Sequence, residues 1–296
     1  MATGKDRYEP TGIVTPDPTR LDGGSSSLQQ ALASLTPRGQ RPCEQTVQGT
    51  TSIIVPCHNE AARLPIDAFR AVAVLSEAPR ILFVDDGSTD GTAALIAPLV
   101  AEHPERFQLF RLEVNAGKAE AVRHGMLLAL EDDPEIVGFW DADLSTPLTE
   151  LPRFHRVLAR RPSVQIVMGS RVRMLGRQIR RRPARHYLGR VGATLISWAL
   201  HLAVYDTQCG AKLFRVTPAV RSIWAHPFNS GWLFDVEILF RFLHAYPPGD
   251  AREKMKEALY ELPLAAWRDV GGSKVRAQHY ALSLWDLYAL WRYYRP

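Results

Sequence analysis

Four short apolar runs, at residues 51–56, 80–84, 107–112 and 136–140, punctuate the first half of the chain, and polar residues follow each of them. The runs are β-branched or aromatic and too short for buried helices, so each reads as a buried strand. Residues 61–75, 93–102 and 119–130 between them read as helices. Strand and helix alternating in this way predicts a parallel sheet with crossover helices on its faces. Such sheets take their ligands beyond the carboxyl ends of the strands.

The polar clusters lie at those ends, and each has chemistry to offer. Asp141-Ala142-Asp143 follows the fourth run. Two hard oxygen donors there would hold a divalent cation, which in turn would hold a diphosphate. The same acids also suit a turn or a helix cap. In Asp85-Asp86-Gly87-Ser88 a carboxylate would accept from the N–H edge of a nucleobase while Gly87 turns the chain. An ordinary strand-to-helix turn accounts for those residues equally well. Lys118 opens a helix, where it would meet phosphate beside free backbone N–H groups, or else stand solvated at the surface. The chain carries neither G-x-x-x-x-G-K-[ST] nor G-x-G-x-x-G.

Composition narrows the setting. The 296 residues carry a formal charge of +5, which favours an anionic partner without naming it. Three cysteines, odd in number and far apart, predict neither a disulfide framework nor a zinc site and suit a reducing compartment. No stretch reaches the roughly 18 to 20 apolar residues of a membrane span, and the N-terminus lacks the pattern of a signal peptide. Residues 1–48, rich in Pro, Gly, Ser and Thr, read as a mostly disordered tail ahead of one catalytic domain at 49–296. The expectation is a cytoplasmic protein.

Peripheral membrane contact stays open on two features. One is the basic series Arg171, Arg173, Arg177, Arg180, Arg181, Arg182, Arg185 and Arg190, suited to anionic headgroups. The other is a pair of aromatic-bearing segments, 187–205 with Tyr187 and Trp198, and 280–294 with Trp285, Tyr288, Trp291 and Tyr293. Solvated loops and core helices read the same way. Nucleic-acid binding lacks a supporting motif.

Taken in order, Ile54-Val55-Pro56-Cys57-His58-Asn59-Glu60, Val84-Asp85-Asp86-Gly87-Ser88-Thr89-Asp90-Gly91-Thr92, Asn115-Ala116-Gly117-Lys118 and the DXD triplet at 141–143 resemble the family-2 glycosyltransferases, inverting enzymes of the GT-A fold. Gly169-Ser170-Arg171, Asp206-Thr207-Gln208-Cys209-Gly210, Lys212-Leu213-Phe214, Trp232-Leu233-Phe234-Asp235-Val236-Glu237 and Gly272-Ser273-Lys274 narrow the likeness to the dolichyl-phosphate β-glucosyltransferase branch.

The resemblance implies an α/β fold with a Rossmann-like, mostly parallel central sheet flanked by helices. It implies a nucleotide-activated hexose as donor, UDP-glucose in this branch with GDP-hexose as the other choice, and Mg²⁺ or Mn²⁺ as cofactor. Pro56, His58, Glu60 and Asp86 would line the nucleoside pocket, with Asp85 beside them. Asp141 would face the ribose and the metal, and Asp143 would bind the metal. Arg171 and Lys212 would face phosphate groups. Two departures stand out. Branch members in eukaryotes carry an N-terminal membrane helix, whereas residues 1–45 are polar, and His58 stands where Tyr is common.

Inversion requires in-line attack opposite the nucleotide. A polyprenyl phosphate acceptor is already largely dianionic near neutral pH, its second pKa being about 6, so Arg171 and its neighbours would position it. A soluble hydroxyl acceptor would need a general base. Asp235 is the first candidate for that base and Asp206 the second, although either acid would equally serve a helix start or a loop. A nucleotide-sugar-binding protein without chemistry is the non-enzymatic alternative.

Overall fold

A computed structural model describes residues 50–75, 78–172, 174–180, 183–270 and 277–295. The tail at 1–48, the Gly272-Ser273-Lys274 motif and Arg173, Arg181 and Arg182 lie outside the described residues. The four apolar runs form β1 (Thr51–Cys57), β2 (Arg80–Asp86), β3 (Phe107–Leu112) and β4 (Ile136–Trp140). Between them lie α1 (Ile66–Ala73), α2 (Thr92–Glu102) and α3 (Lys118–Glu131). After β4 come α4 (Leu151–Arg160), β5 (Ile166–Ser170), β6 (Gln178–Arg180) and α5 (Pro183–Leu200). The chain continues through β7 (Ala211–Arg215), α6 (Pro218–Ile223), α7 (Phe234–His244), α8 (Ala251–Ala258), β8 (Leu259–Pro263), β9 (Ala266–Arg268) and α9 (Ala277–Tyr294).

Seven strands form one sheet in the order β3-β2-β1-β4-β7-β5-β8, and β6 pairs with β9 in a second, small sheet. β1 pairs in parallel with both β2 and β4, so strand addition changes direction between them. The crevice beyond the carboxyl ends of β1 and β4 is therefore a topological switch point, the place where open α/β sheets bind ligands. β7 runs antiparallel between β4 and β5. Its first residue, Ala211, pairs with Trp140 at the end of β4, which brings the residues before β7 to the same crevice.

The pleat divides the core. Ile54 joins α3 and α7 residues on one face, while Ile53 and Val55 join Phe69, Trp140 and Phe154 on the other. The mostly parallel sheet flanked by helices meets the expectation. One helix is shorter than expected, since residues 61–64 turn instead and α1 begins only at Ile66. Pro65 is the cause: its ring disfavours the helical region for the residue before it. The N–H groups of Arg63 and Leu64 both donate to the Glu60 carbonyl at 2.8 Å. Among the described residues no helix is long and apolar enough to cross a membrane.

Candidate active site

The carboxyl end of β4 gathers charge. The Asp141 N–H donates to the Gly210 carbonyl at 2.8 Å, so the residue before β7 backs the acid. Lys118 Nζ donates to Asp141 Oδ1 at 2.6 Å. Burial alone would lower the Lys118 pKa, but Asp141, then Asp235 and Asp143, hold it above the ordinary lysine value. Asp143 Oδ1 accepts the Ser145 N–H at 2.9 Å, closing a tight turn with Leu144 at φ 47°. Trp140 Nε1 donates to the Thr146 carbonyl at 2.6 Å and fastens that loop.

The ends of β1 and β2 are knitted to the entrance of α3. Both oxygens of Asp86 accept backbone N–H groups, from Ala116 at 2.7 Å and Gly117 at 2.9 Å. Gly87 makes the approach feasible, with φ +60° and room for no Cβ, which would fall 2.6 Å from Asn115 N. His58 Nδ1 donates to the Asp86 carbonyl at 2.7 Å. Pro56 and His58 are half-buried, and Glu60, bonded to Arg63 at 2.5 Å, is buried.

Asp85 calls for a correction. Its carboxylate is 0 % exposed and accepts from Arg111 Nε at 3.0 Å and the Ser88 N–H at 3.2 Å. A sealed group of this kind organises the turn and does not line an open pocket.

The second half contributes two ion pairs. Arg171 grips Asp206 as a fork, Nε to Oδ2 at 2.7 Å and Nη2 to Oδ1 at 2.6 Å, and its own N–H also reaches Oδ2 at 3.0 Å. Burial would weaken the guanidinium's hold on its proton, but Asp206 more than reverses this and raises the Arg171 pKa. Lys212 is 0 % exposed, and its Nζ donates to Asp235 Oδ1 at 2.6 Å and to the Cys209 carbonyl at 2.7 Å. Lys212 is thus enclosed and does not face phosphate, which corrects the expectation for it. Asp235 and Asp206, the two candidate bases, are each committed to a cation.

Two contributors carried no assigned role in the sequence. Gly210 lies close against the Asp141 carboxylate; a Cβ there would fall 1.8 Å from Oδ2. Glu237 accepts from the N–H groups of Asn229 and Ser230 and from Arg241, tying the segment before α7 to that helix. Both belong to motifs already quoted, but a motif reports order along the chain and not the partner across the sheet.

The family model described as Glycosyl transferase family 2 matches residues 52–220. A dolichyl-phosphate beta-glucosyltransferase of Trichomonas vaginalis, ALG5C, is 30% identical over 310 residues, covering 100% of this chain and 86% of that protein. The dolichyl-phosphate beta-glucosyltransferase of Saccharomyces cerevisiae is 29% identical over 249 residues, covering 76% and 68%. Among solved structures, glucosyl-3-phosphoglycerate synthase of Mycobacterium tuberculosis in complex with Mn²⁺, UDP-glucose and phosphoglyceric acid superposes with a TM-score of 0.52 at 19% identity, over 86% of this chain and 82% of that one. That last likeness is one of fold, the GT-A arrangement. The chain belongs to glycosyl transferase family 2 and is a glycosyltransferase, as its motifs lead one to expect.

Proposed function

We propose that this glycosyltransferase moves glucose from UDP-glucose to the phosphate of a polyprenyl phosphate, with Mg²⁺ or Mn²⁺ held by Asp141 and Asp143. The observation that carries the reading is the name its curated relatives share, dolichyl-phosphate beta-glucosyltransferase, in one case across the whole of this chain.

The residues at the crevice fit a divalent cation. Two carboxylates are hard oxygen donors, and Asp141 is held against Gly210. Among the described residues no group of three His, Cys, Asp or Glu side chains gathers to hold a metal. The protein would therefore give two ligands, and diphosphate oxygens of the donor would complete the set. When bound, the cation would offset the charge of the leaving diphosphate. Mn²⁺ accompanies UDP-glucose in the M. tuberculosis enzyme.

The chain's own groups favour a phosphate nucleophile over a hydroxyl. A hydroxyl acceptor needs a general base, yet Asp235 is paired with Lys212 and Asp206 with Arg171. A phosphate monoester, its second pKa about 6, arrives ionised and needs only positioning and screening. Lys118, half-exposed beside Asp141, would meet the donor's diphosphate. His58 and Pro56, at the end of β1, would border the nucleoside.

A lipid-borne acceptor also gives a use to two helix faces. On α5, Val191 and Trp198 are exposed, and on α9, Leu284, Trp285 and Tyr288 are exposed; both tryptophans are 69 % accessible. Apolar and aromatic side chains on a helix face suit the bilayer interface.

The test is release of nucleoside diphosphate from a panel of UDP- and GDP-sugars, with and without a short polyprenyl phosphate. Release that needs the divalent cation, UDP-glucose and the lipid phosphate is the expected result. Stimulation by a soluble sugar acceptor and not by the lipid would overturn the acceptor. Nucleotide binding with no turnover on any acceptor would overturn the activity.

A further inference from the structure

We propose that Lys118 occupies the cation's place on Asp141 until nucleotide arrives, so that divalent cation and donor bind as one unit and the free cation binds poorly. The inference rests on the reading above that Asp141 and Asp143 hold the metal.

The geometry sets up a competition for one carboxylate. Asp141 Oδ1 carries the Lys118 ammonium at 2.6 Å. Both oxygens lie over the Gly210 backbone, where a Cβ would fall 1.8 Å from Oδ2 and 2.3 Å from Oδ1. The Gly210 side of the carboxylate is closed, so a cation approaching Asp141 meets the Lys118 ammonium already seated there. Ammonium and dication cannot share that position, because each would lie within about 4 Å of the other, where like charges repel strongly even in a solvated site.

The two lysines of the cluster differ in a way that suits the exchange. Lys212 is sealed at 0 % exposure between Asp235 and the Cys209 carbonyl. Lys118 keeps 42 % of its side chain exposed, and it stands on the first residue of α3, directly after Gly117 at φ +89°. It is the charge free to swing. Once off Asp141, its ammonium needs another anion. The diphosphate brought with the metal is that anion. By linkage, whatever nucleotide adds to cation affinity, the cation adds to nucleotide affinity.

The experiment is calorimetric titration of Mn²⁺ into the parent, Lys118→Met and Lys118→Arg, each without nucleotide and with saturating UDP. The parent is expected to bind Mn²⁺ weakly alone and much more tightly with UDP. Lys118→Met should bind Mn²⁺ alone about thirtyfold more tightly than the parent, the scale for removing a unit charge about 4 Å from a dication in a solvated site, and should gain less from UDP. Lys118→Arg, which keeps the charge, should resemble the parent. Mn²⁺ affinity without nucleotide that is unchanged in Lys118→Met, while UDP still tightens it in the parent, overturns the placeholder role alone. A parent that binds no Mn²⁺ even with UDP overturns the metal reading and this inference together. Thermal unfolding of each variant identifies any loss that comes from misfolding.

Discussion

The backbone of Gly210 closes on the carboxylate of Asp141: a Cβ added at Gly210 would fall 1.8 Å from Oδ2 and 2.0 Å from Cγ. The obstructing group is the acid itself, so the clash is relieved only by moving that carboxylate. Gly210→Ala should push Asp141 aside while leaving the sheet intact. We expect nucleotide-dependent Mn²⁺ binding to be lost and kcat/KM to fall by about a hundredfold, as misplacements of about 1 Å do. A Gly210→Ala enzyme with parental activity would mean that Asp141 does not need its present position.

Lys212 and Asp235 bind the sheet to the start of α7. Both are buried, and the amine's hydrogen bonds are to Asp235 and a backbone carbonyl. Removing one partner strands a buried charge, which costs about 3–5 kcal/mol. Lys212→Met and Asp235→Leu should each destabilise the fold on that scale. The double variant should recover a large part of the loss, because apolar pairs of similar volume replace buried ion pairs well. Chemical denaturation of the four proteins decides it; additive losses in the double variant would show that the two groups act separately.

Cys57 and Cys209 should be inert toward thiol reagents in the folded protein. Both are buried. Burial, followed by the nearby Glu60 and Asp85, raises the Cys57 thiol far above its ordinary range, and burial pushes Cys209 up to about 11. The thiolate is the reactive form, so at pH 8 neither side chain offers it. A Cys43→Ser protein treated with a chromogenic disulfide should react only after denaturant is added. Rapid reaction in buffer would mean that the crevice opens on the timescale of the assay.

These relationships differ in how far they can be read from residue order. β1 to β4 were legible because short β-branched and aromatic runs carry their own signal, and because polar residues follow each run. The place of Asp141 just beyond β4 was legible for the same reason. The start of α1 was misread because helical periodicity continues through Pro65, whose effect on Leu64 outweighs it. The role of Lys212 was misread for a different reason. Its partner lies 23 residues away, and that of Arg171 lies 35 residues away, so no local pattern reports that either charge is already taken. A motif lysine looks the same whether it meets a ligand or a buried aspartate. The antiparallel insertion of β7 decides between them, and that is a property of the assembled sheet.

The loop before β7 is held from the other side by Glu261, and this should be visible in the pH dependence of stability. Glu261 Oε1 accepts the N–H groups of Tyr205 at 2.9 Å and Asp206 at 2.7 Å, which keeps Asp206 in reach of Arg171. Burial raises the Glu261 pKa above the ordinary glutamate value of 4.5 despite these two bonds. A carboxyl whose folded pKa is raised contributes stability that is full below the unfolded value and is lost as pH rises through the folded value. At pH 7 the parent therefore holds a charge that the fold disfavours. Glu261→Gln keeps an oxygen for both N–H groups and carries no charge. Relative to the parent, the variant should gain stability as pH rises from 4 to 7, with the two closest at the acid end. Unfolding midpoints measured across that range test this. A difference that runs the other way, with the variant losing ground toward pH 7, would mean that the Arg190 guanidinium, the smallest of the influences on Glu261, outweighs burial and makes the charged form the one the loop requires.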